Sequence, residues 1–477
     1  MIKTIGSSSD PDLVEQLVKE GETWIKDKIG QKELDFTSER DFTETILENI
    51  EQITVAGTSL LLGKIFDEIG FDAIDDELFK QLVIARLCFP ASKLKTTDFL
   101  SKYHFLSVEA QHIYRYMDKL HNSQKELVQD ISYAHSLKVL NNEISVVFYD
   151  VTTLYFEVDH EDEIRKTGFS KEGKHQNPQI LLGLLVSVDG YPLAYEIFEG
   201  NKYEGHTMLP VIDGFKNRYN IDQLIVVADS GLLTSTNIQE LCAKGYEFIL
   251  GARIKNETTD IKSQILSFDY SQTKEQLIVK QDGIRLLVTY SEKRAQKDKH
   301  NREKGLAKLE KKIKSGKLTK SNINNRGYNK YLKMDGEISL TIDREKFNSD
   351  GKWDGLKGYL TNTELSNKEI MESYAQLWKI EKAFRISKHD LKIRPVFHRI
   401  KRRIEAHICI SFVAYKIYKE LERQLKIKSS NLSPEKAIDI AKTIYAIQVK
   451  TPNQQHLITK TILITQEQKM LAKMFNF

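Results

Sequence analysis

The sequence predicts an α/β protein in which a mixed five-stranded sheet with helices follows an N-terminal helical region and is interrupted by a β-rich segment. Three observations lead to this fold class. Apolar residues recur at helical spacing through residues 1–140, five strand-forming runs lie within 141–254, and alternating apolar patterns separated by turn signals fill 255–362. A helical stretch, 363–425, then returns the chain to the sheet, and 426–477 is expected to be a helical tail.

The composition indicates an ordinary globular protein. Of 477 residues, 40% are hydrophobic and 29% are charged, and a chain of this length is expected to bury a large core and to hold more than one domain. It contains neither a long apolar run nor a signal-peptide core, so we expect no membrane span and a cytoplasmic location. The cysteines Cys88, Cys242 and Cys409 are scattered, which fits a reducing compartment and forms no zinc motif.

Five strands are expected between residues 144 and 252. The first, Ile144–Tyr149, ends in Asp150. The second and third, ILLGLLVSV and YPLAYEIFEG, flank a strong Asp-Gly hairpin signal. The fourth, Leu224–Ala228, ends in Asp229, and the fifth is EFILGA. Taken singly, Asp150 is most simply a turn residue bonded to its own backbone, and Asp229 is most simply a helix N-cap.

A helix with an unusual charge is expected over Tyr374–Leu391. Its apolar stripe contains Glu381, and Tyr374, Glu381 and Lys388 follow one another at seven-residue intervals, so all three project from nearly the same side. A carboxylate in an apolar stripe costs free energy unless a metal, a cation or hydrogen bonds compensate it. The simpler interpretation is a local ion pair between Glu381 and Arg385.

Together, these residues resemble the DDE transposases of bacterial insertion sequences. The resemblance rests on the Asp-x-Thr that begins at Asp150, the Asp-x-Gly that begins at Asp229, and the spacing of Tyr374, Glu381 and Lys388. The sequence is most similar to the IS-four-like superfamily, whose members carry a β-rich insertion before the glutamate.

The resemblance covers about residues 60–425 and departs from the family pattern twice. Leu377 stands where the family has an arginine, between the tyrosine and the glutamate of the last helix. Leu232 stands where the family has an aromatic residue, after the Asp-x-Gly. Both departures concern DNA contacts at those positions and leave the three carboxylates intact.

The resemblance implies an RNase H-like catalytic core that cleaves and transfers DNA strands with two Mg²⁺ or Mn²⁺ ions. Asp150 would bridge both ions, Asp229 would bind one and Glu381 the other, whereas Tyr374 and Lys388 would hold DNA phosphate. Carboxylates suit this role because Mg²⁺ prefers hard oxygen ligands, and two such ions activate the attacking oxygen and stabilise the leaving one. An antiparallel meander followed by strand–helix units matches this fold, and it makes Asp150 and Asp229 neighbours.

Two basic runs extend the expected DNA contacts. Lys293–Lys330 carries fourteen Lys or Arg residues against three acids, and Arg385–Arg403 carries eight against one. Such local runs neutralise DNA phosphates even at a net charge of +4, although the first run is also compatible with a solvated helix. Besides Tyr374 and Lys388, the predicted DNA-binding residues are Arg385, Lys392, Arg402, Lys311 and Lys312.

Five regions follow from these assignments. Residues 1–140 form an N-terminal helical region that either binds DNA or serves packing and dimerisation. Residues 141–254 and 363–425 form the RNase H-like core, 255–362 a β-rich insertion domain with a basic helix, and 426–477 the helical tail. Trp353, in the insertion, either packs in a core or stacks on a flipped base.

The function expected from the resemblance is cut-and-paste transposition. The protein would bind the terminal inverted repeats of its own element as double-stranded DNA, act as a homodimer in a synaptic complex, and join the excised ends to target DNA. Its expected location is the bacterial cytoplasm, in association with the nucleoid. Two alternatives are an RNase H-like nuclease that cuts without integrating and a non-catalytic DNA-binding remnant. The inserted domain argues against the first alternative, and the complete set of carboxylates argues against the second.

Overall fold

The computed structural model describes most of the chain. The described residues are 3–29, 43–120, 124–170, 173–232, 234–280, 283–316, 318, 323–324, 327–335, 339–450 and 456–477. Three cations of the first basic run, Lys317, Lys320 and Arg326, lie outside them.

The N-terminal part of the chain is mainly helical, as the periodicity predicts. Its helices are α1 (Pro11–Ile29), α2 (43–48), α3 (Lys64–Ile69), α4 (Glu77–Cys88), α5 (Lys93–His104), α6 (Ala110–Leu120) and α7 (Lys125–Val139). Polar caps start two of them: the Asp76 carboxylate accepts a hydrogen bond from the Phe79 N–H at 3.1 Å, and the Ser92 hydroxyl accepts one from the Lys95 N–H at 3.4 Å. These caps satisfy backbone donors that a helix leaves open at its start.

A mixed sheet of eight strands lies at the centre of the molecule. Its strands are β2 (Val146–Tyr155), β3 (Gln179–Ser187), β4 (Pro192–Glu199), β5 (Ile225–Ala228), β6 (Glu247–Ala252), β7 (Glu275–Val279), β8 (Arg285–Tyr290) and β11 (Leu356–Thr361). They are ordered β4-β3-β2-β5-β6-β11-β8-β7. The first five in this order are the five predicted strands, with β2, β5 and β6 parallel and β3 and β4 antiparallel. This is the RNase H-like order, so the predicted fold class is confirmed.

The sheet is larger than predicted because part of the expected insertion belongs to it. Strand β11 pairs directly with β6, and β8 and β7 follow on its other side, all antiparallel. The expectation that 255–362 forms a domain apart from the core sheet is therefore wrong for these strands. Their alternating patterns identify them as strands, but pairing between strands distant in sequence depends on contacts that no local pattern records.

The middle of this segment does form a small unit with its own apolar cluster. It contains α11 (Glu292–Lys314), a short 3₁₀ helix (Gly327–Tyr331), β9 (Leu332–Asp335), β10 (Ser339–Ile342) and α12 (Arg344–Gly351). Leu306 and Leu309 of α11 pack against Tyr331 and Phe347. The Arg302 guanidinium binds the Asp354 carboxylate at 2.6 Å, which ties α11 to the chain entering β11.

Different helices cover the two faces of the sheet. One face carries α8 (Met208–Tyr219), α9 (Ser235–Ala243) and α10 (Thr259–Ser267), and the other carries α13 (Asn367–Ala375), α14 (Trp378–Arg385) and α15 (Lys401–Ile427). Side chains alternate between the faces along β2. Val147 and Tyr149 join the core under α8, whereas Phe148 and Leu154 join the core under α14.

The two ends of the chain meet in a second, smaller sheet. Strand β1 (Ile50–Val55) pairs with β12 (Tyr445–Lys450), which pairs with β13 (Leu457–Ile462). The tail also contains α16 (Pro434–Ala441) and α17 (Gln466–Phe475). The predictions of purely helical N-terminal and C-terminal regions are therefore wrong at these strands, whose stability depends on pairing across the length of the chain. None of the described helices is long and apolar enough to cross a membrane.

Candidate active site

Asp150 and Asp229 are neighbours on the sheet, as the sequence predicts. Strands β2 and β5 run parallel in a register that places Tyr149 beside Ala228. The next residue along each chain segment is an aspartate, Asp150 within β2 and Asp229 directly after the end of β5. Neighbouring strands lie about 4.8 Å apart. Phe148 and Val227 belong to the core under α14, and alternation therefore directs both aspartates to that same face of the sheet.

Asp150 lies inside its strand, not at its end. Strand β2 continues to Tyr155 and stays paired with β3, where Asp150 is opposite Leu184. Strand β5 stops at Ala228, so β2 loses one neighbour at Asp150. The Asp150 carboxylate accepts a hydrogen bond from the Val151 N–H at 2.8 Å. The interpretation of Asp150 as a turn residue is therefore wrong, although the bond to its own backbone does form.

Asp229 begins the loop after β5, and its side chain is exposed. Its carboxylate accepts a hydrogen bond from the Ser230 N–H at 2.6 Å. The helix that follows, α9, is capped by Thr234, whose hydroxyl accepts from the Asn237 N–H at 3.0 Å. The interpretation of Asp229 as the N-cap of this helix is therefore wrong, and the cap leaves the carboxylate available to the site.

Tyr374 connects α13 to the aspartates. Its ring is buried, and its hydroxyl donates to the Asp229 carboxylate at 3.4 Å. Burial, followed by the charge of Asp229, raises the pKa of the Tyr374 phenol, so the phenol remains a hydrogen-bond donor. Tyr374 is predicted to hold DNA phosphate, but in this structure its hydroxyl positions Asp229.

A glycine in β6 makes room for this hydroxyl. A Cβ atom at Gly251 would lie 2.4 Å from the Tyr374 hydroxyl oxygen and 3.1 Å from the Ser230 nitrogen. The first distance is far below van der Waals contact, so any side chain here would displace the phenol. Gly251 thus belongs to the architecture of the site although it carries no functional group.

Glu381 lies on an interrupted helix and not on the sheet. The predicted continuous helix is interrupted: α13 ends at Ala375, α14 begins at Trp378, and a π-helix, Ile386–Asp390, follows. Glu381 is exposed on α14, and Trp378 is 52% exposed. The prediction that Glu381 lies within a buried apolar stripe is therefore wrong. The turn between the helices rotates the buried face of α14, which packs on β2 and β3.

The alternative interpretation of Glu381 is not supported either. Within the described part of the chain, Glu381 and Arg385 form no ion pair, although both residues are described. The helix that carries Glu381 packs on the same face of the sheet as Tyr374. The charge of Glu381 adds to the raised pKa of Tyr374 and opposes the lowered pKa of Lys357, after larger causes in both cases.

Lys357 is a cation of the site that the sequence does not reveal. It lies on β11, half-buried, with its ammonium 4.3 Å from the Tyr374 ring centroid and 5.0 Å from that of Tyr359. Burial and the charge of Arg294 lower the pKa of Lys357, and the carboxylates of Asp229 and Glu381 oppose this. Only the pairing of β11 with β6 brings Lys357 here, and the sequence pattern had placed it in a separate insertion.

The carboxylates fit a hard divalent ion in chemistry but are not gathered into a closed site. Asp150 and Asp229 offer oxygen ligands from adjacent strands, the kind of donor that Mg²⁺ and Mn²⁺ prefer. Among the residues that the structure describes, no three acidic, histidine or cysteine side chains are grouped closely enough to hold a metal ion. The structure thus brings the two aspartates together, while the convergence of Glu381 with them stays a prediction.

The predicted DNA-binding cations fall into three groups. Arg385 and Lys392 are exposed near the site, and Lys388 is half-buried in the π-helix. Arg402 instead binds Asp118 at 2.9 Å, so its side chain is already engaged. Lys311 and Lys312 are exposed in the last turn of α11, within the small unit.

The surroundings of Trp353, in the insertion, indicate its role. Trp353 packs partly buried against the core under α8, which favours a packing role over stacking on a base.

The sheet order and the two adjacent aspartates define an RNase H-like protein. A family model described as the transposase DDE domain matches residues 141–417, more than half of the chain. The chain therefore belongs to the DDE transposase family. The match ends before the tail and begins just before β2, so it covers Asp150, Asp229 and Glu381.

Solved structures give a weaker likeness. The piggyBac transposase synaptic complex with hairpin DNA has a TM-score of 0.39 and 8% identity, over 81% of this chain and 76% of that one. The Mos1 transposase paired-end complex with a left transposon end has a TM-score of 0.17 and 9% identity, over 35% and 56%. No curated protein matches the chain. The placement among bacterial insertion sequences stays a prediction.

Proposed function

We propose that this DDE transposase catalyses metal-dependent DNA cleavage and strand transfer at the terminal inverted repeats of its own element. The observation that carries the proposal is the placement of Asp150 and Asp229 side by side on the face of the sheet that α13 and α14 cover. Tyr374 and Glu381, two further residues of the family motif, lie on those helices. Adjacent carboxylates of this kind suit phosphoryl transfer, in which bound metal ions activate the attacking oxygen and stabilise the leaving oxygen.

Each residue has a distinct part in this scheme. Asp150 and Asp229 would hold Mg²⁺ or Mn²⁺, and Glu381 would complete the site. The Tyr374 hydroxyl fixes the orientation of Asp229 through its 3.4 Å hydrogen bond. Lys357 and Lys388 would bind the phosphates that flank the scissile bond, since a lysine supplies charge without base specificity.

Completing the site requires Glu381 to approach the aspartates. The helix that carries it is short and lies between the turn at 376–377 and a π-helix, features that often occur where a helix serves function. We infer that binding of metal and DNA shifts α14 along the face of the sheet, so that Glu381 approaches the aspartates. Its buried residues Ile380 and Phe384 keep it attached to the core during such a shift.

The test is single-turnover cleavage of DNA that carries the inverted repeats of the flanking genomic sequence. Wild type with Mg²⁺ should cut at the ends and join them to target DNA, whereas Asp150→Ala, Asp229→Ala and Glu381→Ala should bind the ends without cutting. Glu372→Ala is the matched control, because Glu372 is an exposed glutamate of α13 whose ion pair, among the described residues, is with Lys368 at 3.9 Å. An active Asp229→Ala variant would refute the proposal.

The same assay separates the alternatives. Cutting without joining identifies a nuclease, and end binding without cutting by wild type identifies a DNA-binding remnant. A homodimer in a synaptic complex is part of the proposal and predicts two protein chains per pair of ends, measured by light scattering of the protein–DNA complex. A bacterial cytoplasmic location, associated with the nucleoid, also remains part of it.

A further inference from the structure

Four basic side chains are gathered where the N-terminal helices pack on the catalytic core. Arg86 comes from α4, Lys93 from the first turn of α5, His398 from the segment before α15, and His407 from α15 itself. We call them the buried basic cluster. Arg86 is 5% exposed, Lys93 3% and His407 5%, so charges on these groups are largely removed from water.

The hydrogen bonds of the buried basic cluster are few and long. Arg86 donates to the Leu391 carbonyl oxygen at 3.5 Å and lies 3.4 Å from the His407 Nδ1, while its Nε has no hydrogen-bond partner. The Lys93 ammonium has neither a hydrogen bond nor an ion pair with any described residue. The ring of His398 contacts Tyr114 and His407 but makes no hydrogen bond within the described chain.

The electrostatic surroundings of the buried basic cluster are positive. Burial, and then the charges of Lys93, Arg86 and Arg403, lower the pKa of His398 to about 3. Burial and Arg86 lower the pKa of Lys93, and no carboxylate opposes this. The acid beside Arg403 is Asp118, which already binds Arg402 and Arg403 at 2.9 and 2.8 Å.

This arrangement destabilises the folded protein unless another group compensates it. An uncompensated buried charge destabilises a protein by several kcal/mol, and each unpaired buried donor adds to that penalty. Two solutions exist: Lys93 is neutral and merely structural, or an anion accepts the open donors. The donors Arg86 Nε, the Lys93 ammonium and the His398 ring come from three separate elements, and none of them has a hydrogen-bond partner within the described chain.

We propose that the buried basic cluster binds a phosphate-type oxyanion. Arginine and lysine together hold such groups through charge-assisted hydrogen bonds, and a tetrahedral anion offers an oxygen to each open donor. His398 is only half-buried, and its neighbours Phe397 and Ile400 are 67% and 40% exposed, so this side of the cluster reaches the surface. The oxyanion is either a DNA backbone phosphate or free phosphate.

The first arm of the test is thermal stability in phosphate against chloride at equal ionic strength. Phosphate well above its dissociation constant should raise the Tm of the full-length protein on the order of 2 °C more than chloride does. Lys93→Met should lose this difference. Lys95→Met is the matched control, because Lys95 is an exposed lysine in the same turn of α5 and should keep it. If Lys93→Met fails to fold, His398→Gln, at the half-buried rim, should reduce the same difference.

The second arm asks whether DNA is the source of the oxyanion. If a backbone phosphate enters the cluster, Lys93→Met but not Lys95→Met should flatten the slope of log affinity against log salt by about one unit. A phosphate-specific Tm rise with an unchanged slope identifies free phosphate. The proposal is overturned if phosphate acts like chloride on wild type and the DNA slope is unchanged, most clearly if Lys93→Met also melts above wild type. Neither arm depends on Asp150, Asp229 or Glu381, so its failure leaves the proposed function untouched.

Discussion

The aspartates and the glutamate of the candidate site are held by parts of the fold that differ in rigidity. Asp150 and Asp229 are placed by the register of two parallel strands at the centre of an eight-stranded sheet. Glu381 lies exposed on an eight-residue helix bounded by a turn and a π-helix. Ladder hydrogen bonds fix strand neighbours closely, whereas a short helix can shift on its apolar face. If the proposed function holds, this difference implies that the sheet fixes two metal ligands in advance and that the helix has to bring the third to them.

The largest effect should come from removing any of the three carboxylates. Asp150→Asn, Asp229→Asn and Glu381→Gln should each slow cleavage by about three orders of magnitude or more, because a neutral amide binds the metal ions poorly. Single-turnover cleavage at saturating protein measures this, with Glu372→Gln as control. If the Glu381→Gln enzyme cleaved at nearly the wild-type rate, the two aspartates would be sufficient for cleavage. The distinction between strand-borne and helix-borne metal ligands would then be wrong.

The next largest effect should come from Lys388, on the π-helix after Glu381. Lys388→Ala should slow cleavage about ten- to a thousandfold while leaving end binding nearly unchanged, since it positions one phosphate among many other contacts. Lys426→Ala, which removes an exposed lysine from the last turn of α15, serves as control. Normal cleavage by Lys388→Ala would mark it as a surface charge, and equal losses in binding and cleavage would make it an ordinary phosphate contact.

A substitution at Gly251 tests the contact between Tyr374 and Asp229, on the side of the site that the sheet holds. Gly251→Ala places a Cβ 2.4 Å from the Tyr374 hydroxyl oxygen and should slow cleavage about ten- to a hundredfold by displacing Tyr374 and loosening Asp229. The added Tyr374→Phe change removes the clashing atom and should restore part of the loss. Gly214→Ala is the control, because open space surrounds that exposed helical glycine. Additive losses in the double variant would contradict this account of the contact.

The smallest effect should come from Lys357, whose charge interacts with both Asp229 and Glu381. Lys357→Met removes a positive charge near Asp229 and Glu381, so Mn²⁺ should bind about fivefold more tightly, as expected for a loss of about 1 kcal/mol of repulsion. Cleavage should nevertheless slow if, as proposed, the lysine also binds a phosphate next to the scissile bond. Calorimetry of the DNA-free protein measures the affinity, with exposed Lys352→Met as control. Unchanged Mn²⁺ affinity would place the ammonium outside the metal site.

The sequence predicts the central strands well because their signals are local. The runs that became β2 to β6 are continuous apolar stretches, and Asp189-Gly190 forms the expected hairpin turn with Gly190 at a φ of 79°. The aspartates follow from those strands and from the order in which the strands connect. The neighbouring positions of Asp150 and Asp229 can therefore be predicted from the sequence.

The rest of the site depends on contacts between distant segments. Lys357 reaches it only because β11 pairs with β6, and the sheet at the chain ends exists only because β1 meets β12. The interruption at 376–377 separates Tyr374 from Glu381, and helical spacing alone cannot show it, since each residue there is an acceptable helix former. The exposure of Glu381 follows from that interruption.

The central claim is that Asp150 and Asp229 form a prepared metal site that Glu381 joins only with DNA. Calorimetric titration of Mn²⁺ into the DNA-free protein tests it most directly. The account predicts that Asp150→Asn and Asp229→Asn weaken Mn²⁺ binding by about tenfold or more, because each removes a carboxylate that binds the ion directly. Glu381→Gln should change the affinity by less than about threefold, because Glu381 does not reach the ion without DNA. Equal weakening by all three variants, or no weakening by the aspartate variants, would contradict it.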